Sequence, residues 1–163
     1  KSVPINQIVL VKEHFFMLQE RPRQFYRELK KISNVKLVNP FKYSTPNEYI
    51  TNSNGLIAIN GTSIIEAAIL GKPVASFVNS IWCKTKSIEY VSDIRKLPSI
   101  IKKFQNFRAD YEGLETMINV IKLKGEKLDI GVFMKSKKHI KSEELLKNQN
   151  NLIKLFYKAV ELK

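Results

Sequence analysis

The chain has 163 residues, 44% of them apolar, and 28 Lys and Arg against 15 Asp and Glu give a formal net charge of +13. That length and apolar content point to one domain with a substantial core and exclude a disordered chain. Cys83 is the single cysteine, which excludes an internal disulfide and a cysteine-based zinc site and fits a reducing cytoplasm. His14 and His139 are the only histidines and have no carboxylates at ligand spacing, so no metal site is expected. No run of eighteen apolar residues and no signal-peptide order occurs, so a soluble, unexported chain is expected. The sequence starts at Lys1, with little before the apolar run Ile8 to Val11, and this suggests a piece of a longer protein. Basic residues concentrate at Lys30-Lys31, Lys102-Lys103, Lys122 to Lys127 and Lys135 to Lys141. Such a field suits nucleic acid, an anionic membrane leaflet or a phosphorylated substrate, or else is a solvated surface.

Ile8 to Lys12 reads as the first strand, with Lys12, Glu13 and His14 at its carboxyl end, where functional loops gather in α/β folds. After a loop with Arg21, Pro22 and Arg23, the spacing of Phe25, Tyr26, Leu29 and Ile32 predicts a helix. Val35 to Val38 is a second strand, ending at Asn39-Pro40. Thr45-Pro46-Asn47-Glu48 combines a cap, a proline in the first helical position and a glutamate closing a capping box, which starts a short helix.

Leu56 to Val78 is the most informative stretch. Leu56 to Ile59 is a short apolar run between Gly55 and Asn60-Gly61, as expected of a strand buried on both faces of a parallel sheet. Gly61 lets the backbone turn, Thr62 or Ser63 can cap the helix through Ile64, Ile65, Ala67, Ala68, Ile69 and Leu70, and Gly71 closes it. Amides and the positive end of the helix dipole would then point beyond the strand's carboxyl end, where phosphates bind in open α/β sheets. Two plainer readings stand beside this one. The glycine turn serves packing alone in many βα units, and Ser63 with Glu66 three residues on makes a capping box that needs no ligand.

Pro73 to Val78 gives the fourth strand and Ile88 to Val91 a short edge strand. Asp93 can cap a helix carrying Leu97, Ile100, Ile101 and Phe104, and Tyr111 to Leu123 is helical, with Leu114, Met117, Ile118 and Ile121 on one side. Lys124 to Lys141 is the expected loop. Ser142 caps a last helix, within 142–163, whose apolar stripe is Leu145, Leu152, Ile153, Phe156 and Val160. Strands separated by helices imply right-handed crossovers. The expected fold is therefore α/β: a single Rossmann-like, three-layer domain over 1–163, with a parallel sheet and helices on both faces.

With these motifs in place, the chain resembles the carboxyl-terminal, nucleotide-binding half of two-domain GT-B glycosyltransferases, and among them bacterial capsule polysaccharide biosynthesis proteins. The matching segments are the strand ending in Lys12-Glu13-His14, Arg23 to Leu29, Asn34 to Pro40 and above all Asn60 to Val74, NGTSIIEAAILGKPV, together about half the chain. The resemblance implies a transferase that takes a nucleotide sugar, CMP- or UDP-linked, with no further cofactor and no metal. Gly61, Thr62 and Ser63 would hold the donor phosphate, Glu66 would accept from ribose hydroxyls, and Lys12 and His14 would face the same site. His14 would be the catalytic residue, donating to the departing phosphate or protonating it, unless it is a loop histidine satisfied by a backbone carbonyl. The family's transferases for CMP-activated acidic sugars carry His-Pro here, whereas His14 is followed by Phe15.

The resemblance also implies partners: a glycan or glycolipid acceptor, an amino-terminal domain of the same protein that supplies the catalytic base, and peripheral contact with an anionic membrane at the inner face of the cytoplasmic membrane. The segment alone would bind donor weakly and transfer nothing. Other readings are a sugar-nucleotide epimerase of the same architecture, a scaffold that has lost its chemistry, and a basic nucleic-acid-binding module. For the last, no recognisable motif is present and the aromatics Phe104 and Phe107 near Arg108 fall at core-like spacings, so no nucleic acid is expected.

Overall fold

The computed structural model describes residues 3–14, 20–39, 46–127 and 142–161. The Thr45 cap, Pro40, Phe15, His139 and the Lys135 to Lys141 run lie outside the described residues. Two compact units form, Lys1–Tyr111 and Glu112–Lys163.

In the first unit, short apolar runs become strands and every pairing is parallel. β1 (Val9–Val11) lies beside β2 (Val35–Leu37), and β3 (Leu56–Ala58), β4 (Val74–Ser76) and β5 (Ile88–Tyr90) form a second sheet in that order. Helices α1 (Arg23–Lys30), α2 (Pro46–Thr51) and α3 (Thr62–Ile69) make the crossovers β1 to β2, β2 to β3 and β3 to β4. Pro46 occupies the first position of α2, where its missing N–H costs no helical bond. A single 3-10 turn, Ile81–Lys84, leads from β4 toward β5 in place of a helix. The fold is α/β and Rossmann-like, with the ladder hydrogen bonds grouping the strands two and three rather than five together.

Side chains alternate across a strand, so Ala75 and its register partners Ile57 and Glu89 share one face of the three-stranded sheet. Helix α4 (Leu97–Lys103) lies on that face. Ala75 clusters with Val91, Leu97, Ile100 and Ile101, and Lys103 Nζ donates to both carboxylate oxygens of Glu89 at 2.8 and 3.0 Å. Val74 and Ser76, 1% and 0% exposed, face the other side, and α3 packs against β3 and β4 there through the buried Ile64, Ala67 and Ala68. Because α4 sits over β4, the edge strand β3 is not buried on both faces as expected. Ile57 is 38% exposed and Ile59, just beyond the strand, 69%.

Two glycines earn their places by geometry. Gly71 has φ +73° and closes α3 with a pair of bonds, Lys72 N to Ala67 O at 2.9 Å and Gly71 N to Ala68 O at 3.0 Å, the Schellman arrangement. Gly55, before β3, lies under the Phe104 ring, and a Cβ there would meet Phe104 Cε2 at 2.6 Å and the Pro73 carbonyl oxygen at 2.9 Å. Gly55→Ala is therefore expected to lower stability by about 1 to 3 kcal/mol in urea unfolding, the usual cost of overpacking. An unchanged midpoint would show that the ring moves aside freely.

Asp93 caps, as expected, but what it caps is the 3-10 turn Ile94–Lys96 that runs into α4. Its carboxylate accepts from Arg95 N at 2.9 Å, and the Arg95 guanidinium holds the Asp93 carboxyl below its ordinary range.

Helix α5 (Tyr111–Lys124) opens at the boundary of the second unit, with Leu114 and Met117 buried. Helix α6 (Ser142–Glu161) is held to the segment after α5 by polar contacts: Lys158 pairs with Glu126, and Asn151 Nδ2 donates to Lys127 O at 2.8 Å. Asn148, on the same side of α6, is 6% exposed, whereas Leu152 and Ile153 of the expected stripe are 48% and 52% exposed. Leu145 of that stripe is half-buried, and the side chains of Phe156 and Val160 lie outside those described.

Candidate functional site

The turn between β3 and α3 is built around Gly61, whose φ of 119° and ψ of 172° lie in a region open essentially to glycine alone. Gly61 takes the N-cap position itself, with Ile64 N donating to its carbonyl at 3.3 Å. Thr62 and Ser63 are consequently the first two helical residues and not caps, and no side chain caps the helix. The expected Ser63–Glu66 capping box is absent for the same reason, since a capping serine must sit in the non-helical position that Gly61 holds. The amides of Thr62 and Ser63 thereby lack an acceptor within the helix and stand at its positive end. Glu66 lies one turn beyond Thr62 on the same side of the helix, with no hydrogen bond or ion pair to its carboxylate among the described residues.

The corner is open. Gly61 and Thr62 are exposed, Ser63 and Glu66 half-buried, and nothing lies within 4 Å of where a Cβ on Gly61 would be. A cavity of ≈ 100 Å³ lined by Pro73, Val74, Ser87, Ile100, Phe104 and Phe107 lies elsewhere, at the amino-terminal ends of β4 and β5. The turn is therefore an accessible edge of the sheet and not part of that cavity.

Lys12 and His14 follow β1, which belongs to the other sheet, and both are exposed. Gly61, Thr62, Ser63 and Glu66 are contiguous on one turn and one helix; Lys12 and His14 stand at the carboxyl end of a strand that pairs with β2. Between them, Glu13 is the centre of a cluster that sequence reading missed. Its carboxylate accepts from Tyr26 Oη at 2.7 Å and from Arg21 Nε at 3.1 Å, and the Arg21 guanidinium lies 4.8 Å from the centre of the Phe25 ring. The bond to Glu13 holds the Tyr26 hydroxyl in its protonated form and raises its pKa. No periodic spacing links positions 13, 21 and 26, so no local signal marks them.

No group of three or more His, Cys, Asp or Glu side chains placed to hold a metal ion occurs among the described residues. No described helix is long and apolar enough to cross a membrane. Comparison with known protein families, curated proteins and solved structures finds no match to this chain.

Proposed function

We propose that this chain is the nucleotide-sugar-binding domain of a glycosyltransferase acting in the biosynthesis of a bacterial capsule or other surface polysaccharide. The observation that carries the reading is the uncapped amino end of α3 above an open Gly61 turn, at the carboxyl edge of a parallel sheet. Free amides at a helix start bind phosphate, and here no capping side chain competes for them. The amides of Thr62 and Ser63, with their hydroxyls, meet the charge that grows on the leaving nucleotide as the glycosidic bond breaks. Glu66, released from any capping role, offers two acceptor oxygens to ribose hydroxyls. His14 supplies a proton to the departing phosphate and Lys12 a positive charge, both from the carboxyl end of β1. The base that activates an acceptor hydroxyl on a glycan or glycolipid comes from a separate amino-terminal domain. The enzyme works in the cytoplasm, at the inner face of the membrane, to which a chain of net charge +13 is attracted.

Titration of the chain with CMP, UDP, GDP and their sugar conjugates, followed by NMR, tests this. One nucleotide is expected to bind and to perturb the amides of Thr62 and Ser63. Ser63→Ala is expected to weaken it by about 1 to 3 kcal/mol, the cost of a hydrogen bond to a charged group. Equal indifference to all of them would sink the proposal.

A further inference from the structure

The loop that leaves β4 is unusually well knitted. The carbonyl of Val78 accepts from Ser80 N at 3.0 Å, from Ser76 Oγ at 2.9 Å and from Cys83 Sγ at 3.5 Å, while Cys83 N donates to Ser80 O at 3.0 Å. Within this loop Ser80 Oγ is the one buried side-chain oxygen or nitrogen without a hydrogen-bond partner among the described residues. Ser80 stands at the N-cap of the Ile81–Lys84 turn, where a serine hydroxyl ordinarily caps, yet it caps nothing. An orphaned buried hydroxyl costs free energy, so a fold that keeps one needs a reason.

Position supplies the reason. β3 and β4 are hydrogen-bonded neighbours with Ala58 beside Ser76, and Phe77 N donates to Ala58 O at 3.1 Å just past the register pair. The Gly61 turn and the Ser80 loop therefore leave adjacent strands, about 4.8 Å apart, at the same edge of the sheet. Ser80 as a residue is only half-buried, so rotation about χ1 among its staggered positions turns the hydroxyl outward without moving the backbone.

Resting on the function proposed above, we infer that Ser80 is a further ligand-binding residue: its hydroxyl donates to a phosphate oxygen of the nucleotide held at the amino end of α3. The Val78 carbonyl, with its three donors, fixes the backbone of the loop, so that only χ1 of Ser80 has to turn when the ligand arrives. The unbound protein keeps a small instability that the bound phosphate removes.

The test is a comparison of Ser80→Ala and Ser80→Thr with the unsubstituted chain, using CMP, UDP, GDP and pyrophosphate as probes. Without ligand, Ser80→Ala is expected to unfold at the same temperature as the parent or higher, because only an unpaired hydroxyl is lost. Its affinity for the best-binding probe should fall by about tenfold or more, and Ser80→Thr, which keeps a hydroxyl, should recover most of it. Binding equal to the parent in Ser80→Ala would overturn the assignment while leaving the proposed function standing. A lowered midpoint in the unliganded Ser80→Ala variant would overturn it too, by revealing a structural partner such as a buried water. A parent chain that binds none of the probes would instead remove the proposed function, and this inference with it.

Discussion

Gly61→Ala is expected to abolish nucleotide binding and to lower stability by about 1 to 3 kcal/mol, the cost of forcing a side chain into a backbone region that only glycine occupies readily. The cause is unusually clean. Nothing lies within 4 Å of the added methyl, so no clash with a neighbour contributes; the whole effect comes from φ 119° and ψ 172°. Relief of that strain requires the peptide before Thr62 to rotate, which moves the start of α3 and turns its free amides away from the sheet edge. Stability and binding should fall together. Urea unfolding of the two forms, and the same nucleotide titration by NMR, give both numbers. A variant that loses stability but keeps its affinity would show that the amides of Thr62 and Ser63 are not where the phosphate sits, while one that keeps both would show that the turn adopts another conformation in solution.

The segment from β3 to β4 was legible in the sequence because every element there is bounded by a residue with one physical meaning. Gly55 admits the Phe104 ring, Gly61 makes the turn, Gly71 ends the helix, and Pro73 precedes the strand. Two expectations failed inside it: Thr-Ser after glycine looks like a cap although the backbone at Gly61 shows that the helix has already begun, and β3 is an edge strand with Ile57 38% exposed. The grouping of the strands was not legible, since nothing in three-residue apolar runs such as Val9–Val11 says which neighbour they take. The facing of α6 was legible only in part, with Leu145 half-buried but Leu152 and Ile153 exposed. Leu145, Leu146, Leu152, Ile153 and Leu155 spread around much of the helix, and the contacts of Asn151 with Lys127 and of Lys158 with Glu126 join residues far apart in the chain. Glu13, Arg21 and Tyr26 meet although no periodicity links their positions. Ser80 could be singled out only by finding what its hydroxyl lacks.

Ile64→Ala is expected to be the most damaging conservative change in the first unit, costing about 2 to 5 kcal/mol against the 5 to 15 kcal/mol of a typical domain. Ile64 is 0% exposed, and the other buried residues of α3, Ala67 and Ala68, are already as small as a packed side chain gets. With alanines on the same buried face, α3 has nothing of its own with which to fill the space, so the cavity left by Ile64 should persist. Ile69, on the same eight-residue helix but 52% exposed, is the control, and Ile69→Ala should change stability by no more than about 0.5 kcal/mol. A helix rotated about its axis would reverse that order, so the pair tests the facing of α3 directly. Ile64 also stands one turn from Gly61, and its burial is what pins the free amides at the sheet edge. The destabilised variant should therefore bind the nucleotide more weakly yet be rescued by it: a ligand at a hundred times its own dissociation constant adds about 2.7 kcal/mol to the folded state. Thermal unfolding of Ile64→Ala, with and without the nucleotide that binds the parent, measures both effects, and the absence of any upward shift at saturation would separate the core of α3 from the site at its end.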